Sequence, residues 1–339
     1  MLVAALTLSP VQAADTVVRY EASHEAMGTV FAVVVYGQDR DYLAEVVNQV
    51  FEEVDRLDGQ MSNYKPESEL SVINREAARR DVIVEPKLFQ LIRDSLRHSA
   101  ETQGAFDVTV GPLMKLWGFF RGHEHLPPQA EITRVLKRVG YEHLRLNSSA
   151  RTIRFDEDGI ELDLGGIAKG YAVDEAVKIL RSAGVASALI SSGTSSLYAL
   201  GSPPGVRGWK VTLRDPYDAH KAGDIFRLQN YSLSTSGNYE KFFKIGGKTY
   251  CHIMNPHTGM PVENMLSTAV LAPSTTQSDA LSTSFFVLGV NDSRRYLHTH
   301  PNLTAVFYQP SGTPRRFNRV ELRSDSYQVG AEQVAEIGE

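Results

Sequence analysis

Apolar residues along the chain follow two spacings, one typical of strands and one typical of helices. Residues 29–36 (TVFAVVVY) are almost all β-branched or aromatic, which predicts a β-strand. Residues 41–57 instead carry apolar side chains three or four positions apart, among them Leu43, Val46 and Val50. This spacing predicts an amphipathic helix that buries one face. The beginning of the chain is therefore expected to pack a helix against a sheet.

Glycine and proline mark the ends of two further predicted helices. Residues 86–102 have the helical spacing and are followed by Gly104, a residue type that commonly closes a helix. Residues 127–139 start with two prolines just before the first turn, and Gly140 follows the last turn. The first 140 residues are therefore expected to be rich in helices.

Strands and helices alternate irregularly in the rest of the chain. The predicted elements are a strand at 151–164, a glycine-rich turn at 165–170, a helix at 172–182, short strands to about residue 245, strands around Val270 and Val306, and a helix at 279–287. Because this order has no regular βαβ rhythm, an α+β fold is favoured over a doubly wound sheet. A boundary between subdomains, if there is one, is expected near residues 120–150.

The N-terminal residues have the pattern of an export signal. Residues 2–8 form an apolar run that is too short to span a bilayer. Small residues follow at the positions that a signal peptidase prefers, which predicts a signal peptide at 1–14 with cleavage near Ala13 or Ala14. No Lys or Arg precedes the run, so an ordinary disordered end is the alternative. The signal predicts a periplasmic or exported protein, and no later segment resembles a transmembrane span.

Charge and cysteine content exclude several classes of function. The 339 residues carry a net charge of only −5, and acidic and basic residues are interleaved, which argues against a general nucleic-acid binder. Cys251 is the only cysteine, so an intramolecular disulfide and a thiolate zinc site are both excluded. Adjacent strand residues point to opposite faces, so Cys251 and His252 are not expected to act as a nucleophile pair. A buried, unreactive thiol is the favoured interpretation.

A glycine-rich segment at 161–174 is the strongest local candidate for chemistry. It contains Gly165, Gly166 and Lys169, and a helix is predicted directly after it. Glycines let the backbone approach an anion, and a helix N-terminus offers unpaired N–H groups. The spacing matches neither the Walker A loop nor the dinucleotide fingerprint. From these residues alone, a phosphate site and a tight turn with a solvated lysine both remain open.

Asp279 and Thr283 form a second candidate, because residues four apart lie on one face of a helix. Hard oxygen donors of this kind suit Mg²⁺, which completes its shell with phosphate and water. The alternative is a helix start with Ser278 as N-cap and Asp279 in the first turn. The residues alone favour this cap.

A histidine and several aromatic residues provide weaker candidates. His252 ends a predicted strand, where an imidazole is well placed for acid or base catalysis, although a lone histidine is more often an ordinary polar residue. Tyr64 and the aromatic residues of the 104–119 segment, such as Trp117, can stack on planar heterocycles. Packing in the core is the default expectation for these aromatic residues.

Taken in order, these segments resemble the ApbE family of FAD:protein FMN transferases. The similar motifs are Met27-Gly28-Thr29, Ser62-Asn63-Tyr64, residues 68–74 (SELSVIN), residues 104–107 (GAFD), residues 116–119 (LWGF), the glycine-rich turn, residues 234–237 (STSG), His252-Ile253, residues 256–259 (PHTG) and residues 278–283 (SDALST). Each motif alone is weak, but their common order over nearly the whole chain is specific. The resemblance implies an ApbE-type (T-fold-like) α+β fold of mainly antiparallel sheets with packed helices.

The resemblance also implies roles for individual residues. It implies FAD contacts at Met27, Tyr64, Ala105, Phe106, Asp107, Gly165, Tyr171 and Ile253, and the same turn adds Gly166 and Lys169 as candidates. It implies a Mg²⁺ site formed by the Ala168 carbonyl, Asp279, Ser282 and Thr283. His252 matches the essential histidine of the family. The glycine-rich turn and the 279–283 segment are therefore expected to meet around one metal ion.

The reaction implied is Mg²⁺-dependent transfer of FMN from FAD to a Thr or Ser hydroxyl of an acceptor protein, with release of AMP. The alternatives are an FAD pyrophosphatase, a catalytically silent flavin-binding protein and an exported protein whose motifs are only turns and caps. The sequence departs from the family pattern at residues 191–196 (SSGTSS), Asn255, Ser278 and Ser282. The first of these replaces a stretch that in relatives usually contains Gly-Gly-Asn or Gly-Gly-Asp.

Overall fold

The computed structural model describes residues 17–120, 122 and 124–325, and the backbone of 331–333. The predicted signal peptide at 1–14 lies outside these residues. The α-helices are α1 (Arg40–Met61), α2 (Glu69–Glu76), α3 (Pro86–Glu101), α4 (Gly111–Leu116), α5 (Gln129–Leu136), α6 (Ala168–Ser182) and α7 (Thr275–Thr299). None of the helices in the described part of the chain combines the length and apolar character needed to cross a membrane.

The first strands are β1 (Val18–Ala26), β2 (Thr29–Gly37), β3 (Val82–Ile83), β4 (Leu144–Asn147), β5 (Thr152–Phe155), β6 (Ser187–Ser192), β7 (Ser196–Leu200), β8 (Trp209–Asp215) and β9 (Asp218–Leu228). The later strands are β10 (Tyr231–Gly237), β11 (Phe242–Ile245), β12 (Lys248–Cys251), β13 (Met254–Asn255), β14 (Met260–Pro261), β15 (Ser267–Ala272), β16 (Thr304–Pro310), β17 (Phe317–Arg323) and β18 (Ala331–Gln333).

One large sheet forms the centre of the fold. Its eight strands lie in the order β1-β2-β6-β7-β10-β15-β16-β17, and every neighbouring pair is antiparallel. Two three-stranded sheets, β18-β9-β8 and β3-β5-β4, and two short hairpins, β11-β12 and β13-β14, complete the strand pairing. The predicted α+β architecture with mainly antiparallel sheets is confirmed.

Helices pack against this sheet, and strands that contact them alternate buried and more accessible side chains. In β2 the side chains of Phe31, Val33 and Val35 are fully buried, whereas the positions between them are partly accessible. The same apolar cluster takes in Val47 of α1 and Ala172 of α6, together with residues from both sides of the predicted 120–150 boundary. The predicted strand at 29–36 and the helices at 41–57, 86–102 and 127–139 are all present.

The predicted strand at 151–164 is shorter than expected. Only Thr152–Phe155 pairs with other strands, and Gly159 then turns the chain with φ 90°. Further on, the backbone of Leu162 bonds to side chains instead of to a strand: its N–H donates to Asn74 Oδ1 at 2.7 Å, and its carbonyl accepts from the amides of Asn63 and Asn74. The side-chain amides thus take the place of a partner strand.

Helices α6 and α7 both begin earlier than predicted. Helix α6 starts at Ala168, so Lys169 lies in its first turn and not in the preceding loop. Helix α7 starts at Thr275 with Ser274 as its N-cap, so the interpretation of Ser278 as the cap is wrong. Asp279 consequently lies in the second turn of α7. Helix α7 also continues beyond the predicted end, with a break at Gly289 (φ 72°, ψ −177°).

Candidate functional site

The first turn of α6 meets α7 at a buried carboxylate. The backbone N–H of Gly170 donates to Oδ2 of Asp279 at 2.8 Å, and the Ser196 hydroxyl donates to Oδ1 at 3.0 Å. The Asp279 side chain is almost completely buried, with 4% of its surface exposed. Because each oxygen accepts a hydrogen bond from a different element, the plane of the carboxylate is fixed.

Burial and nearby charges act in opposite directions on this carboxylate. Burial raises the pKa of Asp279, whereas the Lys169 ammonium and the hydrogen bonds from Gly170 and Ser196 lower it. The pKa of Glu240 is likewise raised by burial, opposed by the charges of Lys169 and Arg214. Two acidic groups and a lysine therefore share one partly desolvated region.

Hydroxyl groups of β10 contact α7 at the residues that flank Asp279 in the sequence. Ser236 of β10 lies 2.9 Å from the Ser282 hydroxyl and 3.3 Å from the Thr283 hydroxyl. One turn earlier, Ser234 lies 2.7 Å from the Ser278 hydroxyl. Alternate residues of a strand point to the same face, so these β10 serines all face α7. A buried row of hydroxyls therefore supports the residues predicted to bind the metal.

The glycine-rich turn brings three predicted residues together. A Cβ on Gly166 would lie 3.2 Å from the Phe106 ring and 3.3 Å from the Thr283 hydroxyl. Beside it, the Gly165 N–H donates to the Asp163 carboxylate at 2.7 Å. Glycine at 166 thus leaves space between an aromatic ring and a hydroxyl at the start of a helix, where a phosphate group is bound favourably.

The turn between β6 and β7 connects this site to the β1–β2 hairpin. Lys169 Nζ donates to the Ser195 hydroxyl at 2.7 Å. In the same turn, Gly193 has φ 57°, and a Cβ there would overlap the Thr29 hydroxyl. The hairpin turn just before Thr29 has positive φ at both central residues, Met27 (51°) and Gly28 (69°). Positive φ at both central residues is the geometry of a type I′ hairpin turn, which a methionine adopts only uncommonly.

His252 has a defined tautomer and is uncharged near neutral pH. Its Nδ1 lies 3.1 Å from the Lys241 carbonyl oxygen. A carbonyl can only accept a hydrogen bond, so Nδ1 carries the proton and the lone pair of Nε2 remains free. Burial, together with the charges of Lys241 and Lys169, lowers the pKa of His252 to about 4. The imidazole is therefore equipped to accept a proton.

Some predicted residues have their polar groups engaged elsewhere. The Asp107 carboxylate accepts from the backbone and hydroxyl of Thr109 and from the Tyr141 N–H, at 2.6 to 2.8 Å. Tyr171 packs against the main core and lines a cleft with Glu53 and Glu175. Because residues two apart on a helix do not share a face, Tyr171 and Lys169 point in different directions. The hydrogen bonds of Asp107 to Thr109 and Tyr141 give Asp107 a structural role in holding the loop at Tyr141.

The remaining predicted contacts are apolar or aromatic. Ala105 and Ile253 are buried, with 2% and 6% of their surface exposed. Tyr64 is 60% exposed and stacks on Phe120, with ring centroids 4.7 Å apart, so the expectation of core packing is wrong for this residue. It is correct for Trp117, which is 1% exposed and donates to the Gly259 carbonyl.

The oxygen donors predicted to bind the metal are of the kind that suits Mg²⁺. They are the Asp279 carboxylate, the Ser282 and Thr283 hydroxyls and the Ala168 backbone carbonyl, all of them hard oxygen donors. In the described part of the chain, no three His, Cys, Asp or Glu side chains cluster so that they could hold a metal. A site with a single carboxylate leaves positions for phosphate oxygens and water, as is usual for Mg²⁺.

Several residues near Asp279 and Tyr64 are not predicted from the sequence. Ser195 and Ser196 stand out only as departures from the family pattern, and no role is predicted for Ser236, Glu240 or Phe120. The spacing of Ser232, Ser234 and Ser236 at alternate positions of β10 was the available signal, because it places their side chains on one face. The structure shows that this face is buried against α7. The contacts of Ser195 and Ser196 depend on the position of a turn, which spacing does not reveal.

Comparison with known proteins gives a consistent result. The sequence model of the ApbE family matches residues 27–307. The FAD:protein FMN transferase of Salmonella typhimurium is 31% identical over 276 residues, covering 80% of this chain and 79% of that protein. The transferase of the same name from Treponema pallidum is 32% identical over 309 residues, covering 86% of this chain and 84% of that protein.

The fold is also similar to that of a solved structure. The apo flavinyl transferase ApbE of Pseudomonas stutzeri superimposes with a TM-score of 0.81 at 27% identity, covering 91% of this chain and 96% of that one. The match to the family model and the relatives above 30% identity cover most of the sequence. The chain therefore belongs to the ApbE family.

Proposed function

We propose that this protein is a Mg²⁺-dependent FAD:protein FMN transferase. It transfers the FMN part of FAD to the hydroxyl of a Thr or Ser in an acceptor protein. The acceptor oxygen forms a bond to the FMN phosphorus, the bond from that phosphorus to the bridging oxygen breaks, and AMP leaves. The hydroxyl proton is released to a base, so the acceptor gains one FMN less one water.

The start of α6 binds the diphosphate of FAD in this proposal. Gly165 and Gly166 let the backbone approach the phosphates at the positive end of the α6 dipole. Lys169, held by Ser195 at 2.7 Å, adds a positive charge. Phe106 lies beside Gly166 and limits the space on the other side of the turn.

The oxygen donors of α6 and α7 hold the metal in this proposal. These donors are the Ala168 carbonyl, the Asp279 carboxylate and the Ser282 and Thr283 hydroxyls. When bound, Mg²⁺ neutralises diphosphate charge and stabilises the departing AMP. Gly170 and Ser196 keep the Asp279 carboxylate oriented toward the metal position. Phosphoryl transfer of this kind depends mainly on positioning and electrostatics.

His252 takes the proton from the attacking hydroxyl. Its Nε2 lone pair is free because Nδ1–H is directed at the Lys241 carbonyl. With a pKa of about 4 it is a weak base, so it accepts the proton as the bond to phosphorus forms and not beforehand. This role requires an acceptor segment to reach the ring.

The observation that carries the proposal is the hydrogen bond from Gly170 to Asp279. This hydrogen bond holds the start of α6, the proposed site for the diphosphate, against the buried carboxylate of Asp279, the proposed ligand of Mg²⁺. A complex of a diphosphate with Mg²⁺ needs an anion site and a metal site side by side. The family membership of the chain and the names of its relatives give the substrate and the protein acceptor.

The test is to incubate the protein with FAD, with and without Mg²⁺, and a panel of purified proteins known to carry phosphoester-linked FMN, prepared without their flavin. The expected result is Mg²⁺-dependent AMP release together with an acceptor mass increased by one FMN less one water. Tryptic fragments then locate the modified Thr or Ser. AMP and free FMN in equal amounts, with no modified acceptor, would instead indicate a pyrophosphatase that uses water.

We also propose that the protein works in the periplasm or outside the cell. The support is the apolar run at 2–8 with small residues before Ala14. Expression of the full chain in a Gram-negative host, followed by N-terminal sequencing of the periplasmic fraction, tests this proposal. A mature N-terminus near residue 14 or 15 is expected, whereas an uncleaved cytoplasmic product would contradict it.

A further inference from the structure

The turn between β6 and β7 contacts two site residues that belong to different helices. The Ser195 hydroxyl lies 2.7 Å from Lys169 Nζ on α6, and the Ser196 hydroxyl donates to Asp279 on α7 at 3.0 Å. We propose that Ser195 and Ser196 are positioning residues: Ser196 orients the metal-binding carboxylate, and Ser195 orients the phosphate-binding ammonium. This inference rests on the function proposed above.

The contacts of Ser196 suit the orientation of a metal ligand. Ser196 is 1% exposed, so water cannot readily replace its hydroxyl as a hydrogen-bond donor. Together with the Gly170 N–H, it leaves each Asp279 oxygen with further lone pairs for a cation. Hydrogen bonds to the outer side of a metal ligand fix its direction, and their loss typically lowers metal affinity 10- to 100-fold.

Ser195 constrains a flexible cation in a similar way. A lysine side chain has several rotatable bonds, and holding it in one place costs conformational entropy. The Ser195 hydroxyl is directed at the Ser192 carbonyl, 3.3 Å away, and so turns a lone pair toward the Lys169 ammonium. The ammonium is therefore already ordered at the start of α6 before a phosphate arrives.

Neighbouring strands hold the turn in place, so that it can position other groups. The Gly193 N–H donates to the Val30 carbonyl at 2.8 Å, and the Thr235 N–H donates to the Ser195 carbonyl at 2.6 Å. Ser196 itself pairs with Ser234 across β7 and β10. The serine hydroxyls thus project from a backbone that is fixed by hydrogen bonds to β2 and β10.

The chain offers a matched control next to the same turn, at the end of β6. Ser192 is fully buried, and its hydroxyl has no hydrogen-bond partner in the described structure. We would compare Ser192→Ala, Ser195→Ala and Ser196→Ala. The measurements are the Mg²⁺ concentration that gives half of the maximal thermal shift with FAD present, and FAD affinity without Mg²⁺ from flavin fluorescence.

We expect Ser196→Ala to raise the required Mg²⁺ concentration by about 10- to 100-fold, with metal-free FAD affinity changed less than about twofold. Ser195→Ala is expected to weaken metal-free FAD binding about three- to tenfold, the cost of ordering one long side chain. Ser192→Ala is expected to change neither quantity. The pair Ser196→Thr and Ser196→Val has nearly the same shape, and only the threonine should retain wild-type Mg²⁺ affinity.

An unchanged Mg²⁺ requirement in Ser196→Ala, or an equal change in Ser192→Ala, would overturn the inference. The inference would also be overturned if Ser196→Thr and Ser196→Val had the same Mg²⁺ requirement. This second comparison can still be made if Ser196→Ala folds poorly. Both readouts are binding measurements, so they remain informative if the wild-type protein releases no AMP. That separate result would contradict the proposed transferase and not the positioning roles.

Discussion

The backbone amide of Gly170 and the carboxylate of Asp279 join α6 to α7 through one hydrogen bond of 2.8 Å. The helices approach so closely there that a Cβ on residue 170 would lie 2.6 Å from the Cβ of Asp279 and would overlap the Thr275 carbonyl. Glycine is therefore required by the helix contact itself and not by the glycine-rich turn before it. The start of α6 is therefore held in direct contact with the Asp279 carboxylate.

Gly170→Ala should separate the two helices. We expect the free energy of unfolding to fall by about 1–3 kcal/mol, the usual cost of an added methyl group in a closely packed contact. The Mg²⁺ requirement for AMP release should also rise, because the hydrogen bond to Asp279 is lengthened. Urea denaturation and a Mg²⁺ titration of AMP release measure the two effects.

Gly59→Ala is the matched control. Gly59 lies inside α1, is exposed, and has no atom within 4 Å of the position that a Cβ would take. Alanine there should stabilise the protein by about 0.5–1 kcal/mol, because it reduces the freedom of the unfolded chain. If both variants stabilise the protein, α6 and α7 do not approach each other at Gly170 as closely as described here.

Asp279→Asn tests the metal site without removing volume. The amide can still accept a hydrogen bond from the Gly170 N–H and donate one to the Ser196 hydroxyl, so the variant should fold. The loss of the only carboxylate in the donor set should lower Mg²⁺-dependent AMP release by at least about a hundredfold. A normal melting curve with unchanged turnover would remove Asp279 from the metal site.

The sequence was sufficient to predict the fold class and the first helices. The helix at 41–57 was predicted because its apolar residues recur with helical spacing, and this face is buried in the structure. The strand at 151–164 was overpredicted because side-chain amides of Asn63 and Asn74 satisfy Leu162, and periodicity carries no information on such partners.

The candidate site was only partly predictable for a related reason. Asp279 was identified as a candidate metal ligand. The residues around it, taken alone, favoured a helix start, because Ser278 precedes Asp279 where an N-cap residue would lie. The true N-cap is Ser274, which local sequence did not distinguish from Ser278. Asp174 of α6 also accepts hydrogen bonds from the N–H groups of Thr275 and Thr276, and local sequence does not show this contact. The start of α7 is thus fixed partly by a residue about 100 positions away.

Cys251 should not react with thiol reagents while the protein is folded. It is 2% exposed, and burial raises the pKa of its thiol to about 11, so very little thiolate exists at neutral pH. Titration with Ellman's reagent should detect no thiol in the native protein and one in guanidinium chloride. Cys251→Ala should retain full transfer activity, and a large loss would reopen its role as a nucleophile.

The pH dependence of folding provides one test of the His252 environment. Its pKa is lowered to about 4 in the folded protein, against an ordinary value near 6.5 in an unfolded chain. Between these values the unfolded state binds the extra proton, so His252 contributes a loss of stability as the pH falls from about 6.5 to 4. His252→Gln should reduce the slope of melting temperature against pH in this range.

The pH dependence of transfer provides the second test, because the base must be uncharged. The neutral form of His252 is lost only as the pH falls through about 4, so transfer at saturating FAD and Mg²⁺ should stay nearly constant from pH 7 down to about pH 5. His252→Gln should bind FAD normally and transfer at least about a hundredfold more slowly. An acid limb centred near pH 6.5 in the wild type would mean that the catalytic imidazole has the pKa of an ordinary histidine, contrary to the lowered pKa of about 4.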